Sequence, residues 1–156
     1  MKAIIPILTL IMLGAQGIQP IPTFAQTPTL EEQVQTLKNS SQRWIEVNIA
    51  TQRLTAWEGS IPIYSVIIST GKAYHETPRG SFAIESKHDV ARMQGDGYDL
   101  PDVPYTMYYS GHYAIHGAYW HHQFGTPVSH GCVNVAVDHA QWLFNWTELG
   151  TPVIVK

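Results

Sequence analysis

The chain has 156 residues, enough for one domain with a real core and too few for two. Charged residues make up only 13% of it, and the formal net charge is -3, moving to -4 if a leader carrying Lys2 is removed. That balance argues against nucleic acid as a partner, while the 8 tyrosines and 5 tryptophans point to a polar, aromatic binding surface.

Met1 to Ala25 has the layout of a secretory signal peptide. Lys2 supplies the positive start, Ala3 to Leu13 is apolar, and Thr23-Phe24-Ala25 ends in small residues suited to cleavage. The apolar run is about 11 residues and contains Pro6, short of the roughly 20 that a spanning helix needs. The expected locations are therefore secreted, periplasmic or cell wall, with membrane contact only through the signal peptide before cleavage. Residues 26–43 read as a polar linker with a short helix. TLEE (Thr29 to Glu32) is a capping box, and Leu30, Val34 and Leu37 share one helical face. The segment is expected to serve as a spacer more than as part of the domain.

At Trp44 the pattern changes. WIEVNI and RLTAWEG mix β-branched and aromatic residues in near-alternation around ATQ, which predicts a hairpin. IPIYSVIIST (Ile61 to Thr70) and GSFAIES (Gly80 to Ser86) are further strands. His88 to Pro104, with two Gly, two Pro and four Asp and no sustained period, is expected to be a long loop of the kind that forms lids. YTMYYSGHYAIHG predicts one or two strands leading to His116, and GCVNV a short strand or turn. Val135 to Trp146 has a helical pattern in which Trp142, Phe144 and Trp146 serve packing, and TPVIVK is a last strand. The sum is a mainly β domain over residues 44–156, with one principal helix directly behind Cys132.

Cys132 is the only cysteine, and in an exported chain it has no partner for an internal disulfide. The alternatives are an intermolecular bridge, an inert buried thiol or a nucleophile activated by an imidazole. Six of the eight histidines lie between His112 and His139. His130 precedes the cysteine by two positions, and His116 lies at the end of a predicted strand that suits an adjacent strand. The residues alone leave both open. Of His112, His116, His121, His122 and His130, His112 and His116 have H-x-x-x-H spacing, but Gly111, Tyr113 and Gly117 favour a strand there, and Asp96, Asp99 and Asp102 do not form an EF-hand loop, so no metal or cofactor is expected.

The pair AIHGAYW and SHGCVNV resembles the active-site signature of the L,D-transpeptidases, the YkuD-like cysteine enzymes that cross-link bacterial peptidoglycan. The likeness runs from about Trp44 to Lys156, includes STGKAYHETPRGSFAI, and is strongest from Val103 to Val155. It implies the β-sandwich catalytic domain of that family, Cys132 as nucleophile, His116 as its base and the backbone carbonyl of Gly117 as the group orienting the imidazole. It further implies an oxyanion hole from the N–H groups of His130, Gly131 and Cys132, a cleft lined by Asn134 and Trp120, and a loop supported by Ser129. Where this chain has Asn134 some relatives have Arg, so a carboxylate contact there would be a hydrogen bond instead of an ion pair. The implied substrates are peptidoglycan stem peptides, handled by a monomer. A stem tetrapeptide would lose D-alanine to a Cys thioester, and the acyl group would pass to an amine of a second stem. Carbapenems are the implied inhibitors. The alternatives are an L,D-carboxypeptidase, protein-to-peptidoglycan attachment, or an inactive wall-binding module.

Overall fold

A computed structural model describes residues 27–95 and 97–156; the signal-peptide reading of residues 1–25 lies outside them, as does Asp96. Eleven elements follow one another among the described residues. They are α1 (Leu30–Lys38), β1 (Arg43–Asn48), β2 (Arg53–Glu58), β3 (Ile61–Ile67), β4 (Gly80–Ala83), β5 (Ser86–Gly95), β6 (Tyr98–Ser110), β7 (Tyr113–Gly117), β8 (Val133–Val135), α2 (Val137–Trp146) and β9 (Pro152–Val155). One sheet has the order β3-β2-β1-β9-β4 and the other β5-β6-β7-β8. The core lies where they face each other: Ile45, Val47, Leu54 and Val66 come from the first sheet, and Met107, Tyr109, Ile115 and Val133 from the second. Strand alternation puts these residues on the inner faces and leaves Glu46, Arg53 and Thr55 outside. The expected β1–β2 hairpin forms in continuous antiparallel register from Arg43↔Glu58 to Asn48↔Arg53. The domain is mainly β, as expected, with α2 as its longer helix.

Two local expectations change. The helix α1 is not a free spacer. Its capping box closes as read, with the Glu32 N–H donating to Thr29 Oγ1 at 3.3 Å and the Thr29 N–H to Glu32 Oε2 at 2.7 Å. Its apolar stripe then buries Val34 and Leu37 against Trp44 and Ile154 on the outer face of the five-stranded sheet. A stripe only three residues wide is too weak to identify its partner from sequence, but Trp44 presents a large apolar surface there. Leu37→Ala is expected to lower unfolding stability by about 2 kcal/mol, the low end for a buried leucine because its site borders solvent, as read from the midpoint of a urea titration.

The second change concerns residues 88–104, which form a hairpin instead of a loop. β5 and β6 pair with Ala91 opposite Val103, Met93 opposite Leu100 and Gly95 opposite Tyr98. The register slips between Ala91 and Met93, and Asp102 and Tyr105 take positive φ values of 52° and 55°. Such interruptions erase the period-2 pattern that identifies a strand. The hairpin still has an apolar side: Met93 and Val103 pack on Ala114 of β7, next to Tyr98, Leu100, Trp120 and Cys132.

Candidate active site

The site is built on two parallel strands. β7 and β8 pair with Ile115 opposite Val133 and His116 opposite Asn134. Continuing that register places Cys132 level with Ala114, so His116 and Cys132 are diagonal neighbours on one face, about 8 Å apart at Cα by strand rise and spacing. His116, Cys132, Asn134, Trp120, Ser129 and His130 all line one cleft of about 310 Å³. Met93, Tyr98 and Leu100 of the β5–β6 hairpin form its opposite wall. The indole of Trp120 stacks on the His116 ring at 5.7 Å between centroids.

His116 is 2% exposed, and its Nδ1 lies 3.1 Å from the Gly117 carbonyl oxygen. A carbonyl only accepts, so Nδ1 carries the ring proton and Nε2 keeps its lone pair. Gly117 itself is confined, since a Cβ there would stand 2.9 Å from Pro104 Cγ. Burial pulls the His116 pKa down to about 4, aided by His121 and partly opposed by the Gly117 carbonyl. Burial pushes the Cys132 thiol above its ordinary range, with the Ala114 N–H opposing. Both shifts favour the uncharged pair, so near neutrality the site holds a thiol and a neutral imidazole. Among the described residues no carboxylate lines the cleft. The half-buried thiol makes a weak 3.7 Å contact to the His112 carbonyl, and the structure contains no hydrogen bond between it and His116.

The loop that carries the cysteine is tied on several sides. Ser129 Oγ accepts from the Gly131 N–H at 3.1 Å and donates to the Cys132 carbonyl. The Gly131 N–H is thereby engaged, whereas the N–H groups of His130 and Cys132 meet no protein acceptor among the described residues. Gly131 has φ +117°, and a Cβ on it would stand 2.6 Å from Tyr113 Cε1. From the other side, Thr77 Oγ1 donates to the Gly131 carbonyl at 2.8 Å and accepts from the Gly71 N–H at 2.9 Å. The side chain of His130 packs between the β5–β6 hairpin and the loop after β3. It stacks on Tyr98 at 4.7 Å, meets His75 edge-on at 4.9 Å, and has Lys72 Nζ 3.3 Å from its Nε2. Burial, Lys72 and His75 all lower its pKa.

Met93, Tyr98 and Leu100 carry no signal in the sequence, because the register slip in their hairpin leaves residues 88–104 without a sustained period. Thr77 was also missed. Its signal was the TPRG within the segment that carries the family resemblance, read only as the opening of a strand. His121 receives the Gln123 N–H on Nδ1 at 3.1 Å and also reaches the Asn134 amide at 2.9 Å.

The sequence profile of the L,D-transpeptidase catalytic domain, YkuD, matches residues 42–155. The chain is 25% identical over 132 residues to the putative L,D-transpeptidase YciB of Bacillus subtilis, covering 72% of this chain and 65% of that protein. Among solved structures, an L,D-transpeptidase from Mycobacterium smegmatis superposes with a TM-score of 0.69 at 26% identity, over 74% of this chain and 58% of that one. The LD transpeptidase LdtMt1 in complex with imipenem gives 0.69 at 28% identity, over 73% and 58%. The chain thus spans less than two thirds of the length of each of these relatives. With a matched profile covering well over half its length, this chain belongs to the YkuD family of L,D-transpeptidase catalytic domains.

Proposed function

We propose that the protein is an extracytoplasmic peptidoglycan L,D-transpeptidase in which Cys132 is the nucleophile and His116 its base. The observation that carries this reading is the tautomer of His116. With its proton committed to the Gly117 carbonyl, Nε2 is an acceptor on the face shared with Cys132. The thiol turns from the His112 carbonyl onto Nε2 when substrate enters. Its proton passes to Nε2 as sulfur attacks the carbonyl that joins the diamino acid of a stem tetrapeptide to its terminal D-alanine. The oxyanion is received by the free N–H groups of Cys132 and His130, with Gly131 shaping the turn and its own N–H held by Ser129. The imidazolium then gives its proton to the departing amine, leaving a thioester. An amine of a second stem attacks that thioester and gives a proton to His116; the C–S bond breaks, the cross-linked amide leaves, and the Cys132 sulfur takes the proton back from the imidazolium. Water in place of the amine would give a carboxypeptidase from the same intermediate. Asn134 and Trp120 contact the stem, and Ser129 holds the cysteine loop. No step needs a metal or cofactor to balance.

In this reading residues 1–25 direct export, 26–43 lead into the domain and 44–156 carry the chemistry. The resemblance to an enzyme seen with imipenem supplies the test. Intact mass after incubation with a carbapenem is expected to rise by one adduct in the native protein and to stay unchanged in Cys132→Ala. An adduct in both, or in neither, sinks the assignment. Product mass on a defined tetrapeptide then separates the acceptors: dimer supports transpeptidation, tripeptide alone supports hydrolysis.

A further inference from the structure

His121 and Asn134 make a pair whose hydrogen-bond polarity is fixed by elimination. The Gln123 backbone N–H donates to His121 Nδ1 at 3.1 Å, so Nδ1 bears no proton. A neutral imidazole has one N–H, which must then sit on Nε2. Burial and His122 lower the pKa of His121, which favours that neutral ring. Nε2 stands 2.9 Å from the Asn134 amide atom placed as Nδ2. Two donors cannot share that contact, whereas half a turn of the amide puts Oδ1 there to accept from Nε2–H. The other end of the amide has no protein partner among the described residues and belongs to a residue that lines the cleft.

We propose that His121 is a positioning residue that sets the polarity of Asn134: by donating from Nε2 to Oδ1 it turns the Asn134 amino group into the cleft, where it selects a carboxylate or amide oxygen of the peptide stem. This deepens the transpeptidase reading and rests on it for the identity of the substrate, while the polarity itself stands on the hydrogen bonds. Asn134 lies opposite His116 on the paired strands, so the oxygen it holds sits next to the reacting carbonyl. A substrate offering an ammonium group at that point meets two donors and is rejected. His121 touches no reacting atom and acts only through Asn134.

The first measurement needs no turnover. In protein labelled with 15N, the His121 ring signals, assigned by their loss in His121→Gln, are expected at pH 7 to show the proton on Nε2 and a bare Nδ1. A proton on Nδ1, or on both nitrogens, overturns the proposal. The second measurement is kinetic. Glutamine can place an N–H where Nε2 was, so His121→Gln is expected to keep KM for the tetrapeptide within about threefold. Glutamate offers only acceptors and reverses Asn134, so His121→Glu is expected to raise KM about 10- to 100-fold with kcat changed far less, the range for a hydrogen bond to a charged group. The rise should persist for a stem whose carboxylates are converted to methyl esters, since these present oxygens with neither a charge nor an N–H. A rise confined to the carboxylate substrate is charge repulsion and counts against the proposal, as do equal KM values for the two variants. Alkylation of Cys132 at native rate shows that each variant is folded. Should the native protein yield neither dimer nor tripeptide, the transpeptidase reading fails, and the ring spectrum alone decides the polarity.

Discussion

His116→Gln is expected to lower acylation of Cys132 by a stem tetrapeptide about a thousandfold, within the range for loss of a general base, while alkylation of the same thiol by iodoacetamide at pH 7 changes by only a few fold. The contrast follows from the resting charges. Burial raises the thiol and lowers the imidazole, so the native site holds few thiolates for His116 to sustain. Glutamine still donates to the Gly117 carbonyl but has no basic nitrogen, so it preserves the packing and removes the proton acceptor. Its effect falls on the step in which proton transfer accompanies attack. A resting thiolate–imidazolium pair would behave otherwise: its loss would slow alkylation as strongly as acylation. Equal losses in the two assays would therefore overturn this account of the site, and an unchanged acylation rate would move the base elsewhere, with His130 the next imidazole along the cleft.

The same burial has two consequences in acid. A base of the kind proposed for His116 works when neutral, so kcat/KM is expected to hold its value down through pH 6.5 and fall only near 4, where His116 gains its proton in the folded chain. Stability moves over that window too. The unfolded chain takes up a proton at about 6.5 and the folded chain at about 4, so the unfolded state binds more protons between these values and stability drops as pH falls. At pH 4.5 this amounts to roughly 2.5 kcal/mol relative to pH 7. Urea titrations of the native protein and His116→Gln at both pH values isolate it, since glutamine does not titrate.

The parts of this site legible in the sequence were those whose chemistry is carried by residue type. The lone cysteine preceded by His-Gly marks a candidate nucleophile, and the upstream Ile-His-Gly, set on a neighbouring strand by the family resemblance, does lie on β7 paired with β8. The β1–β2 hairpin and the capping box of α1 were legible because short-range pairing alone forms them. What escaped was set by contacts distant in sequence. The outer surface of Trp44 decides that α1 docks, and no periodicity in residues 30–38 names that partner. The β5–β6 hairpin hides because its bulge and its positive-φ residues Asp102 and Tyr105 break the alternation, yet it supplies one wall of the cleft. The polarity of Asn134 hides more completely, since it depends on which nitrogen of His121 a loop amide occupies.

Gly131→Ala is expected to cost about a hundredfold or more in acylation, the range for loss of one oxyanion donor, and about 1–3 kcal/mol of stability for a side chain held at positive φ. Two separate penalties meet at this position. At φ +117° an L-residue is strained whatever its surroundings, and the new methyl would stand 2.6 Å from Tyr113 Cε1. Relief of either moves the backbone between His130 and Cys132, whose N–H groups converge on one oxygen in the proposed mechanism, and disturbs the Ser129 and Thr77 contacts that flank it. The double variant Gly131→Ala with Tyr113→Ala separates the two. Removing the ring abolishes the collision and leaves the dihedral strain. If the collision dominates, the second substitution restores most of the rate lost to the first. If the dihedral dominates, the rate stays low and only part of the stability returns. Activity in the single variant within a few fold of native would mean that the N–H groups around Cys132 do not stabilise the developing charge, because no alanine accommodates this turn without displacing them.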